Sequence, residues 1–167
     1  SYVTFLLTTY TLYFVFFWKI YDWKTAEDPR PQVDESSKIY WVVDPIDGTA
    51  NYFRGLDSCC ISIALFEGDE CVIGIIYNFN NDQMYTAVKG EGAFLNDVKI
   101  SVSDITEKSK ASITTGFPAS ESVESSMNFL NGLVGWKKVR MFGSAALSCA
   151  YVASGKCDYY SEKGVYL

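Results

Sequence analysis

The chain has 167 residues, of which 49% are hydrophobic and 16% aromatic, and its formal net charge is −6. This length and composition predict one folded domain with a real core and exclude a disordered chain. The negative charge argues against nucleic-acid binding through a basic surface. The chain contains no histidine, which excludes histidine-nucleophile phosphatases, Ser-His-Asp hydrolases and His-ligated zinc sites.

The N-terminal residues differ from the rest of the chain. Residues 1–18 carry no charge and reach the minimum length of a membrane span, but their threonines and tyrosines make a poor span or signal peptide. Three interpretations stay open: foreign or mistranslated sequence, a membrane anchor, or a divergent buried element. Residues 19–38 are polar and predict a loop. We expect residues 1–35 to be an atypical segment and residues 36–167 to form the domain.

After this segment, strands and turns alternate. We predict strands over residues 40–43, 59–66, 72–77 and 83–88. The sequence Glu67-Gly68-Asp69-Glu70 is a hairpin signal between the second and third of these strands, and residues 78–82 form the next turn. A run of neighbouring strands joined by short turns predicts an antiparallel meander.

The C-terminal half mixes strands with helices. Ser120 is expected to cap a helix over residues 120–133, and Gly155 to end a small-residue helix over residues 144–153. Short strands are predicted around these helices, over residues 111–115, 138–142 and 157–160. Strands that meander and then alternate with helices predict a layered α/β sandwich.

The five cysteines predict thiols rather than disulfides. Their number is odd and no Cys-x-x-Cys pair occurs. Cys59 and Cys60 open an apolar strand and Cys149 lies in an alanine-rich helix, so we expect buried free thiols. Free thiols favour a reducing compartment, which predicts a cytoplasmic protein.

The most informative segment follows the first strand of the meander and reads Asp44-Pro45-Ile46-Asp47-Gly48-Thr49. Two residues separate the carboxylates, whereas phosphatases that form an aspartyl-phosphate have one residue between theirs. Residues three apart on a strand point to opposite faces, so the two carboxylates converge only through a bend, which Pro45 and Gly48 can provide. Oxygen donors at this spacing suit Mg²⁺ bound through carboxylates, waters and a substrate phosphate.

This segment resembles the first signature of the inositol monophosphatase family, which includes bacterial-type fructose-bisphosphatases and 3′-phosphoadenosine-phosphate phosphatases. Further segments resemble the family in the same order along roughly residues 36–167. They are Ser62-Ile63-Ala64-Leu65, Gly74-Ile75-Ile76-Tyr77, Met84-Tyr85-Thr86-Ala87, Lys89-Gly90-Glu91-Gly92-Ala93-Phe94-Leu95-Asn96, Gly143-Ser144-Ala145-Ala146-Leu147 and Asp158-Tyr159-Tyr160-Ser161-Glu162-Lys163-Gly164. The resemblance implies the α/β layered sandwich of the inositol monophosphatase and fructose-bisphosphatase type.

The resemblance also implies a mechanism and a set of site residues. Water attacks a phosphate monoester directly, and Asp44, Asp47 and the Ile46 carbonyl hold Mg²⁺. Thr49 orients the water, so Thr49 and Asp47 are the implied catalytic residues. The implied substrate-binding residues are Gly48, Thr49, Gly143, Ser144, Ala145 and Glu162.

Each of these residues has a simpler interpretation. The aspartates could belong to a capped turn, Thr49 could be a helix cap, and Glu162 could be a solvated surface charge. The segment from Gly143 to Ala145 could be only a strand-to-helix turn.

The same resemblance predicts an incomplete site. It implies a Gly-Glu-Glu segment before Asp44 and a Trp-Asp segment after Glu162, and residues 1–167 contain neither. We therefore expect a partial domain with little Mg²⁺-stimulated phosphate release from inositol 1-phosphate. The alternatives are an inactive fragment or relative that serves as a binding module, and a family member that acts on 3′-phosphoadenosine phosphate or fructose bisphosphate. The expected partner is a small phosphorylated substrate, and a homodimer is compatible with the family.

Overall fold

The computed structural model describes residues 22–25, 39–117 and 122–162, with backbone alone for residues 22–25. The predictions for residues 1–18, for Ser120 as a helix cap and for Lys163 onward lie outside these residues. Within the described part of the chain, no helix is both long enough and apolar enough to cross a membrane.

Seven strands form the larger sheet, in the order β1-β2-β3-β4-β5-β6-β7. Strand β1 is parallel to β2, and each later pair is antiparallel. The strands are β1 (Asp22–Thr25), β2 (Ile39–Asp47), β3 (Cys60–Glu67), β4 (Glu70–Asn78), β5 (Gln83–Val88), β6 (Gly92–Leu95) and β7 (Val98–Ile100). This arrangement confirms the predicted meander, and Gly68, with φ of 61°, lies in the predicted hairpin.

Three strands of this sheet, β1, β6 and β7, were not predicted from the sequence. The loop prediction for residues 19–38 is wrong at Asp22–Thr25, where polar side chains hid a short strand that pairs with β2. Strands β6 and β7 are joined by Asn96 and Asp97, whose φ values of 46° and 65° suit a tight hairpin turn. The pair Asn96-Asp97 is the sequence feature from which this hairpin could have been predicted.

A second sheet contains three short parallel strands in the order β10-β8-β9. They are β8 (Ser112–Thr114), β9 (Lys138–Arg140) and β10 (Tyr159–Tyr160). Helix α2 (Val123–Leu133) connects β8 to β9, and helix α3 (Ala145–Ala153) connects β9 to β10. Parallel neighbours need such crossover helices, so the fold is the predicted layered α/β arrangement.

The caps of the two long helices come from serines. The Ser122 hydroxyl accepts a hydrogen bond from the Ser125 N–H at 3.2 Å, so Ser122 caps α2. The Ser144 hydroxyl caps α3 by accepting from the Leu147 N–H at 3.2 Å. Both serines have extended backbones, as N-cap residues require.

Helix α3 lies against β3 and β4 of the larger sheet. Its Leu147, Ser148 and Ala150 are buried. Small side chains on both sides leave an apolar cavity of about 230 Å³, lined by residues that include Ser62, Ala64, Gly74, Ala150 and Ala153. Helix α3 also contacts β10, so it lies between the larger sheet and the smaller one.

Candidate active site

The two aspartates of the motif lie at the end of β2, where the strand is irregular. Asp44 pairs with Ser62 and Asp47 with Cys60, so the register shifts by one residue between them. One extra residue in a strand changes which face the following side chain occupies. The Asp44 carboxylate also accepts a hydrogen bond from the Ile46 N–H at 3.1 Å, which holds the bend. The bend predicted from the spacing of the carboxylates is confirmed.

Both aspartate charges act on the same buried thiol. The pKa of Cys60 is raised to about 12, first by burial and then, among smaller causes, by the charges of Asp47 and Asp44. Both carboxylates are therefore within electrostatic reach of the Cys60 thiol. The raised pKa also keeps Cys60 a neutral thiol at physiological pH, so Cys60 is a packing residue of the site and not a nucleophile.

The Asp47 carboxylate is bound to the start of α3. Its Oδ2 accepts hydrogen bonds from the Ser144 hydroxyl at 2.5 Å and from the Ala146 N–H at 2.8 Å. A carboxylate at a helix N-terminus interacts favourably with the helix dipole. Ser144 is only 3% exposed, and its hydroxyl lies beneath Asp47. The Ser144 side chain therefore holds Asp47. This role could not be predicted from the sequence, because the two residues are 97 positions apart.

Gly48 makes the turn from β2 into helix α1 (Thr49–Phe53). Its φ is 82°, and a Cβ atom there would lie 2.7 Å from the Ser58 carbonyl oxygen and 3.2 Å from that of Gly143. Both the conformation and the contact require glycine. The Thr49 hydroxyl donates to the Ile46 carbonyl at 2.9 Å, which confines the Thr49 side chain beside the aspartates.

Asn51 joins this turn to the segment before α3. Its Nδ2 donates to the Ser58 and Phe142 carbonyl oxygens, each at 2.7 Å. A Cβ atom on Gly143, whose φ is 69°, would lie 2.9 Å from the same Nδ2. Asn51 lies two residues after the acidic motif, but nothing in the sequence indicated that its amide connects the two predicted site segments.

Glu162 reaches the site from the smaller sheet. The parallel register of β8 and β10 pairs Tyr160 with Thr114, and the Ser161 N–H donates to the Thr114 carbonyl at 3.2 Å. Two residues further along, the Glu162 carboxylate lies against Gly116, and its Oε2 accepts a hydrogen bond from the Tyr160 hydroxyl at 2.9 Å.

Glu162 and Asp47 also act on common groups. The pKa of Cys149 is raised by burial first and then by the charges of Asp47 and Glu162. The pKa of Tyr160 is raised by burial, then by its hydrogen bond to Glu162, with smaller contributions that include Asp47. Both carboxylates therefore lie within electrostatic reach of Cys149 and Tyr160, although Asp47 ends β2 of the larger sheet and Glu162 follows β10 of the smaller sheet.

The donor set at the end of β2 fits a hard cation in part. Asp44 and Asp47 offer carboxylate oxygens and Ile46 a carbonyl oxygen, which are the ligand types that Mg²⁺ takes together with waters. Asp47 Oδ2 is occupied by Ser144 and Ala146, which leaves Oδ1 as its oxygen for a metal. Among the described residues, no group of three or more His, Cys, Asp or Glu side chains converges on one point. Among the described residues, these donors would need waters or a substrate phosphate to complete the coordination of Mg²⁺.

All five cysteines are free, as predicted. Cys59, Cys60 and Cys157 are buried, but Cys71 and Cys149 are exposed. The expectation of buried thiols is therefore wrong for Cys71 and Cys149. Cys149 lines the cavity between α3 and the larger sheet, so its thiol is partly desolvated although the residue as a whole is exposed. The small residues of α3 gave no amphipathic pattern from which this position could be predicted.

The fold and the site define a layered α/β domain in which an acidic strand end meets the starts of two helices. The profile of the inositol monophosphatase family matches residues 22–166. A relative from Pasteurella multocida named Nus factor SuhB is 38% identical over 78% of this chain and 50% of its own length. An inositol-1-monophosphatase from Mesorhizobium japonicum is also 38% identical, with the same coverage.

Solved structures agree with these relatives. The extragenic suppressor protein suhB from Bartonella henselae superposes with a TM-score of 0.78 at 35% identity, covering 86% of this chain and 55% of that chain. The chain belongs to the inositol monophosphatase family. It spans about half the length of the curated relatives that it matches.

Proposed function

We propose that this chain carries the acidic half of a Mg²⁺-dependent phosphomonoesterase site, in which activated water hydrolyses a small phosphate monoester such as inositol 1-phosphate. The observation that supports the proposal is the register shift in β2 between Asp44 and Asp47, next to the turn in which the Thr49 hydroxyl donates to the Ile46 carbonyl. Asp44, Asp47 and the Ile46 carbonyl would hold the metal. Bound Mg²⁺ supplies Lewis-acid polarisation of the phosphoryl group and lowers the pKa of a water ligand.

The chain's own residues would position the reactants. Thr49 donates its hydroxyl proton to the Ile46 carbonyl, so its oxygen is directed to accept a hydrogen bond from the attacking water. Gly48 brings the backbone close to the site because it lacks a side chain, and the first N–H groups of a helix are available to phosphate oxygens. Asp47 is oriented by Ser144 and Ala146, which reduces the reorganisation needed on metal binding.

Mg²⁺ binding is the first test of this proposal. We expect MgCl₂ to raise the melting temperature of the 167-residue chain and to give a saturable signal in isothermal titration calorimetry. Asp44→Asn should abolish both effects. The matched control is Asp69→Asn in the β3–β4 hairpin, which removes the same charge from an exposed turn and should preserve both effects. Equal responses of the two variants to Mg²⁺ would contradict the assignment.

Phosphate release is the second measurement. Inositol 1-phosphate, fructose 1,6-bisphosphate and 3′-phosphoadenosine 5′-phosphate should be compared with and without Mg²⁺. We expect weak turnover, because the described residues supply only three ligand groups, and a preference for inositol 1-phosphate. Turnover that is independent of Mg²⁺, or that leaves a covalent phosphate on Asp44, would overturn the direct-attack mechanism.

The competing proposal is a binding module without catalysis, in a cytoplasmic setting consistent with the free thiols. Phe53 and Leu56, 81% and 54% exposed, form an apolar surface beside the acidic turn. This observation favours protein contacts, as does the name Nus factor carried by several relatives. A chain that fails to bind Mg²⁺ but retains its fold would support this alternative.

A further inference from the structure

The Glu162 carboxylate occupies the space that a side chain at position 116 would need. A Cβ atom on Gly116 would lie 1.8 Å from Glu162 Oε1 and 2.3 Å from its carboxyl carbon. Any other amino acid at position 116 would therefore occupy the place where the carboxylate lies. The parallel register of β8 and β10 produces this meeting across 46 positions of sequence.

Tyr160 holds the other side of the same carboxylate. Its hydroxyl donates to Glu162 Oε2 at 2.9 Å, and because it remains protonated at physiological pH it can act as a steady donor. A carboxylate has room for about four hydrogen bonds. With one position taken by Tyr160, the Glu162 carboxylate can still accept hydrogen bonds from hydroxyl groups of a ligand.

We propose that Gly116 is a positioning residue for Glu162. Because Gly116 has no side chain, the Glu162 carboxylate can lie beside it, where the Tyr160 hydroxyl holds the carboxylate in place to accept a hydrogen bond from a substrate hydroxyl. The inference rests on the proposed function for the identity of the ligand, although the geometry stands without it. A neutral, hydroxyl-rich group would be accepted at this subsite. A second phosphate would meet the like charge of Glu162 and be disfavoured.

The structure offers a variant that separates this role from folding. The backbone of Gly116 is outside the left-handed region, so alanine causes no conformational strain. The atoms that it would meet are the far end of a flexible side chain, which can move away. Gly116→Ala should therefore unfold at nearly the wild-type urea concentration while displacing the Glu162 carboxylate.

A matched control exists in α2. Gly132 also has no positive φ, and nothing lies within 4 Å of a Cβ atom placed there. Gly132→Ala makes the same chemical change in open space. Glu162→Gln removes the carboxylate charge without the displacement, and Tyr160→Phe assigns the tyrosine signal.

The first readout is the ¹³Cζ chemical shift of Tyr160 at neutral pH, which reports the hydrogen bond to the carboxylate. We expect Gly116→Ala to shift this signal in the same direction as Glu162→Gln, and Gly132→Ala to leave it unchanged. A wild-type signal in Gly116→Ala would overturn the positioning role, whether or not the protein binds a substrate.

The second readout compares two ligands in the presence of Mg²⁺. Gly116→Ala should weaken inositol 1-phosphate binding about tenfold, the loss expected for one hydrogen bond to a charged group, and leave inorganic phosphate binding unchanged. A parallel loss for both ligands would contradict a hydroxyl-specific role. If the wild-type chain binds neither ligand, the proposed function fails, and the Tyr160 signal still decides whether Gly116 positions Glu162.

Discussion

Two regions of the molecule border the candidate site, and they are built differently. The acidic turn, residues 44–49, is contiguous in sequence and is held by hydrogen bonds within itself, to Ser144 and to Ala146. The Glu162 subsite, formed by Gly116, Tyr160 and Glu162, depends on the pairing of strands that are only two and three residues long. We expect the acidic turn to be the more rigid of the two, and single substitutions there to cost more stability.

The largest loss is expected from Asp47→Ala. The substitution removes the acceptor of the Ser144 hydroxyl and of the Ala146 N–H at the start of α3. Two hydrogen bonds to a charged group are worth about 3 kcal/mol together. Urea unfolding without Mg²⁺ should show a loss of this size.

Asp69→Ala is the control for Asp47→Ala, because it removes an exposed carboxylate from a hairpin. It should change the free energy of unfolding by less than about 0.5 kcal/mol. A similar loss in both variants would mean that the acidic turn is not anchored through Asp47.

A smaller loss of unfolding free energy is expected from Gly48→Ala, for which Gly55→Ala is the matched control. Both glycines have positive φ, 82° and 70°, so alanine costs about 1 kcal/mol at either position. Only Gly48 also approaches backbone, with the Ser58 carbonyl 2.7 Å from a Cβ atom, whereas nothing lies within 4 Å at Gly55. We expect Gly48→Ala to cost about 1 kcal/mol more than Gly55→Ala by urea unfolding, so that its total cost stays below that of Asp47→Ala. Equal losses of unfolding free energy in the two variants would show that the backbone of the acidic turn moves to accommodate the added methyl group.

The same contrast explains what the sequence could predict. The acidic turn was predictable because its chemistry is local: two carboxylates, a proline and a glycine within six residues indicate a bend and oxygen ligands. The strands of the meander were predictable from their apolar runs and turn residues. The polar β1 and the short β6–β7 hairpin were not, since neither has a long apolar run.

The contacts that complete the site could not be predicted from the chain alone. Ser144 meets Asp47 across 97 positions, and the Asn51 amide meets the Phe142 carbonyl across 91. Glu162 reaches Gly116 only because β8 and β10 are parallel with Tyr160 opposite Thr114. Such contacts are set by strand register and helix packing, for which a single sequence gives no local signal. The resemblance to the family indicated which residues belong to the site, but not which of them hold the others in place.

The smallest expected effect concerns Asp158, which connects β10 to β8 and so supports the Glu162 subsite. Its carboxylate accepts hydrogen bonds from the Ser103 hydroxyl at 2.5 Å and the Ser112 N–H at 2.6 Å, and these bonds lower its pKa in the folded state. A lowered folded pKa gives stability that is present above the unfolded value of about 3.9 and is lost as pH falls through the folded pKa. Between about pH 5 and pH 3, the free energy of unfolding from urea titrations should therefore fall less in Asp158→Asn than in the wild type. The difference should be a few tenths of a kcal/mol, because the Asp158 carboxylate is largely solvated. Asp69→Asn, at an exposed turn, should keep the wild-type slope. If Asp158→Asn keeps that slope as well, the second region is held by strand pairing alone, and the contrast with the charge-anchored acidic turn becomes sharper.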